Sequence, residues 1–229
     1  MIHPSSNPFY AMRDSVTAPV SCFAALYERP VWGWVPYLLL IASGMLFWGA
    51  YFDHVNFNAL ARALSTSLSL TPEQQSAWMQ KEILLAGEVM ADVVGRTGSI
   101  IMMALWLHLS SKSLGNSPMF RQWLGASCFI FLPAIIGDLA SYANLLFNQS
   151  LLLPAYADLN SLNAFFKVEY SSPWSTYLNT FPILLPWYFV NTLNLLTSWV
   201  PMEKGKAITI ASLPWLLVFV GWGMFIAVA

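Results

Sequence analysis

Four ionisable residues in the apolar part of this sequence are spaced so that they could share one site. Glu88, Asp92 and Arg96 follow one another at steps of four residues, which places all three along one face of a helix. Asp138 lies in a separate apolar stretch. Ionisable side chains at membrane depth are costly, and they usually face the interior of a helix bundle and find partners there. We therefore take these four residues as the candidate site.

The distance of these residues from a short basic connection predicts that they meet. Arg96 lies 16 residues before Lys112, and Asp138 lies 17 residues after Arg121. At the helical rise per residue, both lie ~25 Å from the membrane boundary at that connection. The sequence therefore predicts one polar cluster of the four ionisable residues, between the second and third spans and toward the outer leaflet.

The chemistry of such a cluster stays open between three alternatives. A charge-balanced clamp would hold two helices in register. An ion or proton pathway would use the surplus charge, because three acids against one base leave two carboxylates unmatched. A metal or lipid-headgroup site is the third alternative. If a metal binds, the carboxylates of Glu88, Asp92 and Asp138 would suit a hard cation such as calcium or magnesium.

Enzymatic chemistry and cofactor binding are not indicated. The sequence contains no GxSxG, HExxH or phosphate-binding loop and no glycine-rich dinucleotide fingerprint. Cys22 and Cys128 have no metal-ligand spacing and are predicted to be small buried residues. The ten Lys and Arg are scattered and the net charge is −1, so a nucleic-acid partner is not expected.

The composition requires that these polar residues lie in a membrane protein. Hydrophobic residues make up 57% of the 229 positions, charged residues only 9%, and the mean hydropathy is +0.57. A soluble domain carries about 25% charged residues. We therefore predict an all-α, polytopic integral membrane protein.

Five apolar stretches are long enough to cross a bilayer, which takes ~20 residues. We predict a five-helix bundle with kinks at prolines inside the spans, such as Pro133 and Pro182. The domain plan is an N-terminal segment over 1–30 followed by a transmembrane domain over 31–229. Its spans lie at about 31–52, 87–111, 122–147, 174–200 and 207–228.

Two helices are predicted outside the spans. Within 19–28, apolar residues at helical spacing predict a short interfacial helix whose apolar face is formed by Val20, Phe23, Ala24 and Tyr27. In the connection over 53–82, Thr71-Pro72-Glu73-Gln74 has the signature of a helix start, so we predict a helical loop on the outer side. That helix is expected to continue without a break into the second span.

The orientation follows from the basic residues near the span ends, which favour the cytoplasm. One side holds six of them and the other side three, while Arg96 lies within a span. The first set is Arg13, Arg29, Lys112, Arg121, Lys204 and Lys206, and the second is Arg62, Lys81 and Lys167. We therefore place the N-terminus in the cytoplasm and the C-terminus outside. Asn148-Gln149-Ser150 matches a glycosylation signal on the outer side, which has no meaning in a bacterium.

Three features of the sequence point together to one known family. The first is the N-terminal run Asn7-Pro8-Phe9, the stretch over 18–26 and Glu28-Arg29-Pro30. The second is the five-span plan. The third is Phe120-Arg121-Gln122 before the third span, with Phe131-Leu132-Pro133 inside it. In these features the sequence resembles the Yip1 family in its bacterial form, which implies a five-helix bundle with a cytoplasmic N-terminus.

The resemblance also bears on partners. Eukaryotic members of the family are implicated in trafficking, through prenylated Rab-type GTPases and membrane shaping. This sequence lacks their long N-terminal region and its Asp-Leu-Tyr-Gly-Pro stretch, which argues against a GTPase partner. We expect a non-enzymatic protein of a bacterial inner membrane that scaffolds or binds lipids, a protein partner or a second copy of itself. The alternative is a small transporter or channel for protons, cations or a small solute.

Overall fold

The computed structural model describes residues 3–112, 117–147 and 153–228, and these residues are mostly helical. The N-terminal helices are α1 (Pro8–Thr17) and α2 (Pro19–Glu28), followed by a 3₁₀ turn (Pro30–Gly33). The next helices are α3 (Trp34–His54), α4 (Phe57–Ser67), α5 (Pro72–Trp78), α6 (Lys81–Lys112), α7 (Phe120–Phe131) and α8 (Ala134–Phe147). The rest are α9 (Pro154–Ala157), α10 (Asn163–Phe166), α11 (Pro173–Thr180), α12 (Leu185–Trp199), α13 (Lys204–Trp215), a π-helical turn (Leu216–Val220) and α14 (Gly221–Val228). The predicted glycosylation signal at 148–150 lies outside the described residues.

Within the described residues, four helical stretches are long and apolar enough to cross a membrane. They are Pro30–His54, Lys81–Lys112, Phe120–Phe147 and Lys204–Val228, which correspond to the predicted first, second, third and fifth spans. The second and the last of them face largely outward, since only 17% of the most apolar window of each is buried. Lipid is the solvent that such apolar surface requires.

The predicted fourth span is not one continuous helix. It consists of α11 and α12, and between them the chain is non-helical around Pro182. Proline lacks an N–H donor and disfavours the helical conformation of the residue before it. Phe181 accordingly has an extended backbone, at φ −77° and ψ 109°.

The chain divides into two compact units. The first contains residues 1–40, 96–133 and 185–221, and the second contains 41–95, 134–184 and 222–229. Each of the four candidate spans contributes one part to each unit.

Aromatic residues and close backbone packing form the core of the first unit. The rings of Trp123 and Trp199 lie 5.0 Å apart between their centroids, and Trp123 is fully buried. Gly125 of α7 packs against the 3₁₀ turn so closely that a Cβ there would overlap the carbonyl of Pro30. Both cysteines, Cys22 and Cys128, belong to this unit, and both are free and buried, as expected.

The N-terminal segment of the first unit forms two helices, of which one was predicted. α2 has the predicted bounds, and its apolar residues are divided between buried and exposed positions. Cys22, Phe23 and Leu26 are buried, whereas Val20 and Tyr27 are exposed. α1 was not predicted because its apolar and polar residues are mixed; it begins where Asn7 caps the N–H of Tyr10.

The second unit is organised around the end of α3 and the 53–82 connection. Phe47, Tyr51 and Phe52 of α3 pack with Leu60 and Leu64 of α4 in one buried cluster. The predicted helix start is confirmed, because Thr71 and Gln74 form a reciprocal capping box at the start of α5. The expected continuity with the second span is wrong: α5 ends at Trp78 and α6 begins at Lys81.

Candidate functional site around Asp138

Asp138 is the buried carboxylate at the centre of a polar network in the second unit. It lies on α8 and is 2% exposed. The hydroxyl of Ser43 on α3 donates a hydrogen bond to Oδ2, and Nδ2 of Asn160 donates to Oδ1 at 2.8 Å. Hydrogen bonds of this kind offset the cost of burying a carboxylate. Asp138 thus joins two helices to the 153–166 loop.

The neighbouring glycine allows Asn160 to approach. A Cβ on Gly137 would overlap the side-chain amide of Asn160. Nδ2 of Asn160 also lies 3.3 Å from the carbonyl oxygen of Ala134, one turn earlier on α8. The loop is therefore seated directly on the backbone of the helix that carries Asp138.

Ser141, one turn after Gly137, makes a second attachment of the same loop. Its hydroxyl donates to the carbonyl of Gly137 and accepts the backbone N–H of Leu159, each at 2.8 Å. The side chain of Ser141 is fully buried. We call the five residues Ser43, Gly137, Asp138, Ser141 and Asn160 the Asp138 network.

The same loop satisfies the backbone of the broken fourth segment. The N–H of Ile183 donates to the carbonyl of Asn160 at 2.7 Å, and the N–H of Leu162 donates to the carbonyl of Phe181 at 3.1 Å. Ser161 and Pro182 form an isolated antiparallel bridge. Backbone groups that a helix break leaves without intrahelical partners need partners elsewhere in the protein. The loop supplies them, so the Asp138 network and the break are structurally coupled.

Two other predicted site residues, Glu88 and Asp92, also lie in the second unit. Both are half-buried on α6. Burial, and then the nearby carboxylate of Glu88, raise the pKa of Tyr170 to about 12. Asp158, two residues before Asn160, also interacts electrostatically with Glu88. The acidic surroundings of Glu88 therefore include a loop carboxylate that the sequence analysis did not select.

A family model for the Yip1 domain matches residues 13–225. The chain belongs to the Yip1 family. The matched range contains two of the motif stretches that suggested it, over 18–30 and 120–133, whereas Asn7-Pro8-Phe9 lies before it. No curated protein and no solved structure matches the chain significantly.

In this Yip1-domain protein, Arg96 belongs to the first unit. Its Nη1 donates to the carbonyl of Leu40 on α3 at 2.9 Å. A guanidinium on a backbone carbonyl is a common arrangement for a charge within a bundle. The predicted meeting of Arg96 with Asp138 remains a prediction.

The residues that hold Asp138 carry no distinctive sequence signal. Ser43 and Ser141 are single hydroxyls in apolar spans, and Asn160 belongs to a turn-rich loop. The capping of Asn160 by Asp158, whose Oδ1 accepts its N–H at 2.8 Å, is a local turn that the sequence could suggest. In the described ranges, no three His, Cys, Asp or Glu side chains are grouped as metal ligands would be.

Proposed function

We propose that this Yip1-domain protein is a non-enzymatic component of a bacterial inner membrane that acts by binding lipids, a protein partner or a second copy of itself. The supporting observation is the burial and hydrogen bonding of Asp138. Its carboxylate is buried, accepts hydrogen bonds from two neutral side chains and seats a loop. A buried carboxylate that holds helices and a loop in register supports a structural role for Asp138 over a role in ion passage.

The proposal includes five membrane crossings. α11 and α12 together cover residues 173–199 around the break at Pro182, a length that suffices for one crossing. An odd number of crossings places the two termini on opposite sides, as the charge distribution requires.

The proposal also places the N-terminus in the cytoplasm, and the charges of the two units support this. The first unit contains seven Lys or Arg against three acids, and the second contains three Lys or Arg against eight acids. All six basic residues assigned to the cytoplasm belong to the first unit. The positive-inside tendency acts on Lys and Arg near the span ends, so the six-to-three bias of these residues supports the placement.

A second candidate function, transport of protons, cations or a small solute, is favoured by one observation. The fourth segment is discontinuous beside a loop that contacts a buried carboxylate, and discontinuous helices build substrate sites in many transporters. Under this alternative, Glu88 and Asp92 would line the path with Asp138.

Ion flux in liposomes separates the two functions. Purified protein is reconstituted with a pH-sensitive and a cation-sensitive dye, and wild type is compared with Asp138→Asn. Glu73→Gln, which changes an exposed acid on α5, is the matched control. We expect no flux in any of the three proteins. Flux in the wild type and in the control that a folded Asp138→Asn variant loses would establish transport.

A further inference from the structure

The first helix, α1, is attached to the protein by one face. Ala11, Asp14 and Ser15 are buried on the side that packs against α2. The hydroxyl of Ser5 donates to the Asp14 carboxylate at 2.8 Å, and the N–H of Ser5 donates to the carbonyl of Ser21 on α2 at 3.3 Å. α1 is therefore fixed in its rotation about its own axis.

The opposite face of α1 is apolar and cationic. Phe9, Arg13 and Val16 lie at i, i+4 and i+7, so they share one side of the helix. Phe9 is 69% exposed and Val16 51% exposed. The Arg13 side chain is largely exposed, its guanidinium pairs with the Asp14 carboxylate at 2.8 Å, and it lies 4.9 Å from the centroid of the exposed Tyr10 ring. Large apolar side chains next to a cation on an outward face are typical of helices that lie in the membrane interface.

The contacts of α2 give the level at which α1 lies. Nε1 of Trp199, the last residue of α12, donates to the carbonyl of Phe23 at 2.7 Å. Nε2 of Gln122, in the first turn of α7, donates to the carbonyl of Tyr27 at 2.6 Å. α2 thus lies beside the start of one candidate span and the end of α12, and α1 packs on α2. We take these helix ends as the level of the lipid headgroups.

Basic residues outnumber acids at the helix ends of the first unit. Arg29, Lys112, Arg121, Lys204 and Lys206 lie there with two acids, Glu28 and Glu203. An open cavity of about 300 Å³ beside α1 is lined by His3, Pro4, Ser5, Ser6, Tyr10, Arg13 and the acidic Asp14. The excess of basic groups at the helix ends complements an anionic lipid surface.

We propose that the outward face of α1 docks on anionic phospholipids of the leaflet on its own side of the membrane. Phe9 and Val16 insert at the boundary between headgroups and acyl chains, and Arg13 lies at the level of the phosphates. This deepens the proposed function by naming its lipid partner, and it rests on that function. Each basic residue near an anionic membrane surface strengthens binding about fivefold.

The test uses the full-length protein in lipid nanodiscs with a spin label on Val16→Cys. Cys22 and Cys128 are buried, so the label reacts at the new cysteine. Accessibility to oxygen and to a water-soluble nickel complex gives the depth of the label in discs of phosphatidylcholine alone and of phosphatidylcholine with phosphatidylglycerol. Gln75→Cys, on exposed α5, is the aqueous reference.

We expect the label at position 16 to be lipid-exposed and deeper in the anionic discs, and the label at position 75 to stay aqueous in both. Arg13→Gln should reduce about fivefold the effect of phosphatidylglycerol on the depth of the label, whereas Arg13→Lys should retain that effect. Phe9→Ser should make the label shallower. An aqueous label in both discs, a depth independent of the lipid charge, or a label shielded from both reagents by protein would overturn the proposal. Ion flux is measured on the same preparation, so that failure of the lipid docking can be told from failure of the proposed function. Flux would contradict the proposed function at any depth of the label. An aqueous label without flux would contradict only the docking of α1 on lipid.

Discussion

Gly137 and Asn160 are in such close contact that α8 has no room for a side chain at position 137. A Cβ there would overlap the amide that holds the Asp138 carboxylate. The glycine is therefore part of the Asp138 network although it contributes no polar group. The network depends on the shape of α8 as much as on hydrogen bonding.

Substitution Gly137→Ala tests this dependence. We expect it to lower the free energy of unfolding by about 1–3 kcal/mol, because an inserted methyl group must displace Asn160. Gly49→Ala on α3 is the matched control, since a Cβ at Gly49 meets open space. That control should be neutral or stabilising by up to about 1 kcal/mol, because alanine is the better helix former. Equal thermal midpoints for the two variants in mild detergent would contradict the packing described here.

Ser141→Ala removes the acceptor of the Leu159 N–H in a buried position. An unsatisfied buried donor costs about 1–3 kcal/mol, so the loop should open more often. Hydrogen exchange should be faster over residues 158–161 and unchanged in α5. Thr66→Ala is a useful comparison, because its exposed hydroxyl bonds only to the carbonyl of Arg62 in its own helix. Unchanged exchange at Leu159 in Ser141→Ala would show that the serine does not hold the loop.

Features of the fold that depend on residues close in sequence could be predicted, whereas features that depend on contacts between distant residues could not. Hydropathy suffices for four spans, because an apolar stretch of sufficient length has few alternatives in a membrane. The α5 start was predictable, since Thr71 and Gln74 interact within one turn. The break at Pro182 was predicted only as a kink, because the groups that stabilise it come from the distant loop at 160–162.

The candidate site was less accessible to sequence analysis for the same reason. Asp138 could be selected because a carboxylate in an apolar span is conspicuous. Asn160 could not be selected, because its contact with Asp138 depends on how the irregular loop packs against α8. Helical spacing alone also did not show which apolar residues of α2 the neighbouring helices cover.

Acid should loosen α1. Burial opposes ionisation of Asp14, but the hydrogen bonds from Arg13 and Ser5 and the charge of Arg13 outweigh it and hold the pKa of Asp14 below its usual value. The ionised group therefore contributes stability that is present above the unfolded-state pKa of about 3.9 and is lost as pH falls through the lower folded-state value. A spin label at position 16 should become mobile as the pH falls below about 4.

The matched variant for this prediction is Asp14→Asn, which removes the titrating group. Its label should be more mobile at neutral pH and should show no transition over the acid range. The same acid transition in Asp14→Asn as in the wild type would contradict the role assigned to Asp14.

The most direct test of the account is a double-mutant cycle on Asp138 and Asn160. Asp138→Asn alone replaces one of the two acceptor oxygens by an amide donor, so Ser43 or Asn160 loses its acceptor. Asn160→Asp alone places two carboxyl groups together in a buried site. Each variant should therefore unfold at a lower temperature. In the double variant Asp138→Asn with Asn160→Asp, the amide at position 138 donates to the carboxylate at position 160. This reversed hydrogen bond should recover part of the lost stability, with a coupling energy of about 1–3 kcal/mol. Strictly additive losses in the double variant would contradict the claim that Asp138 is the clamp of this loop.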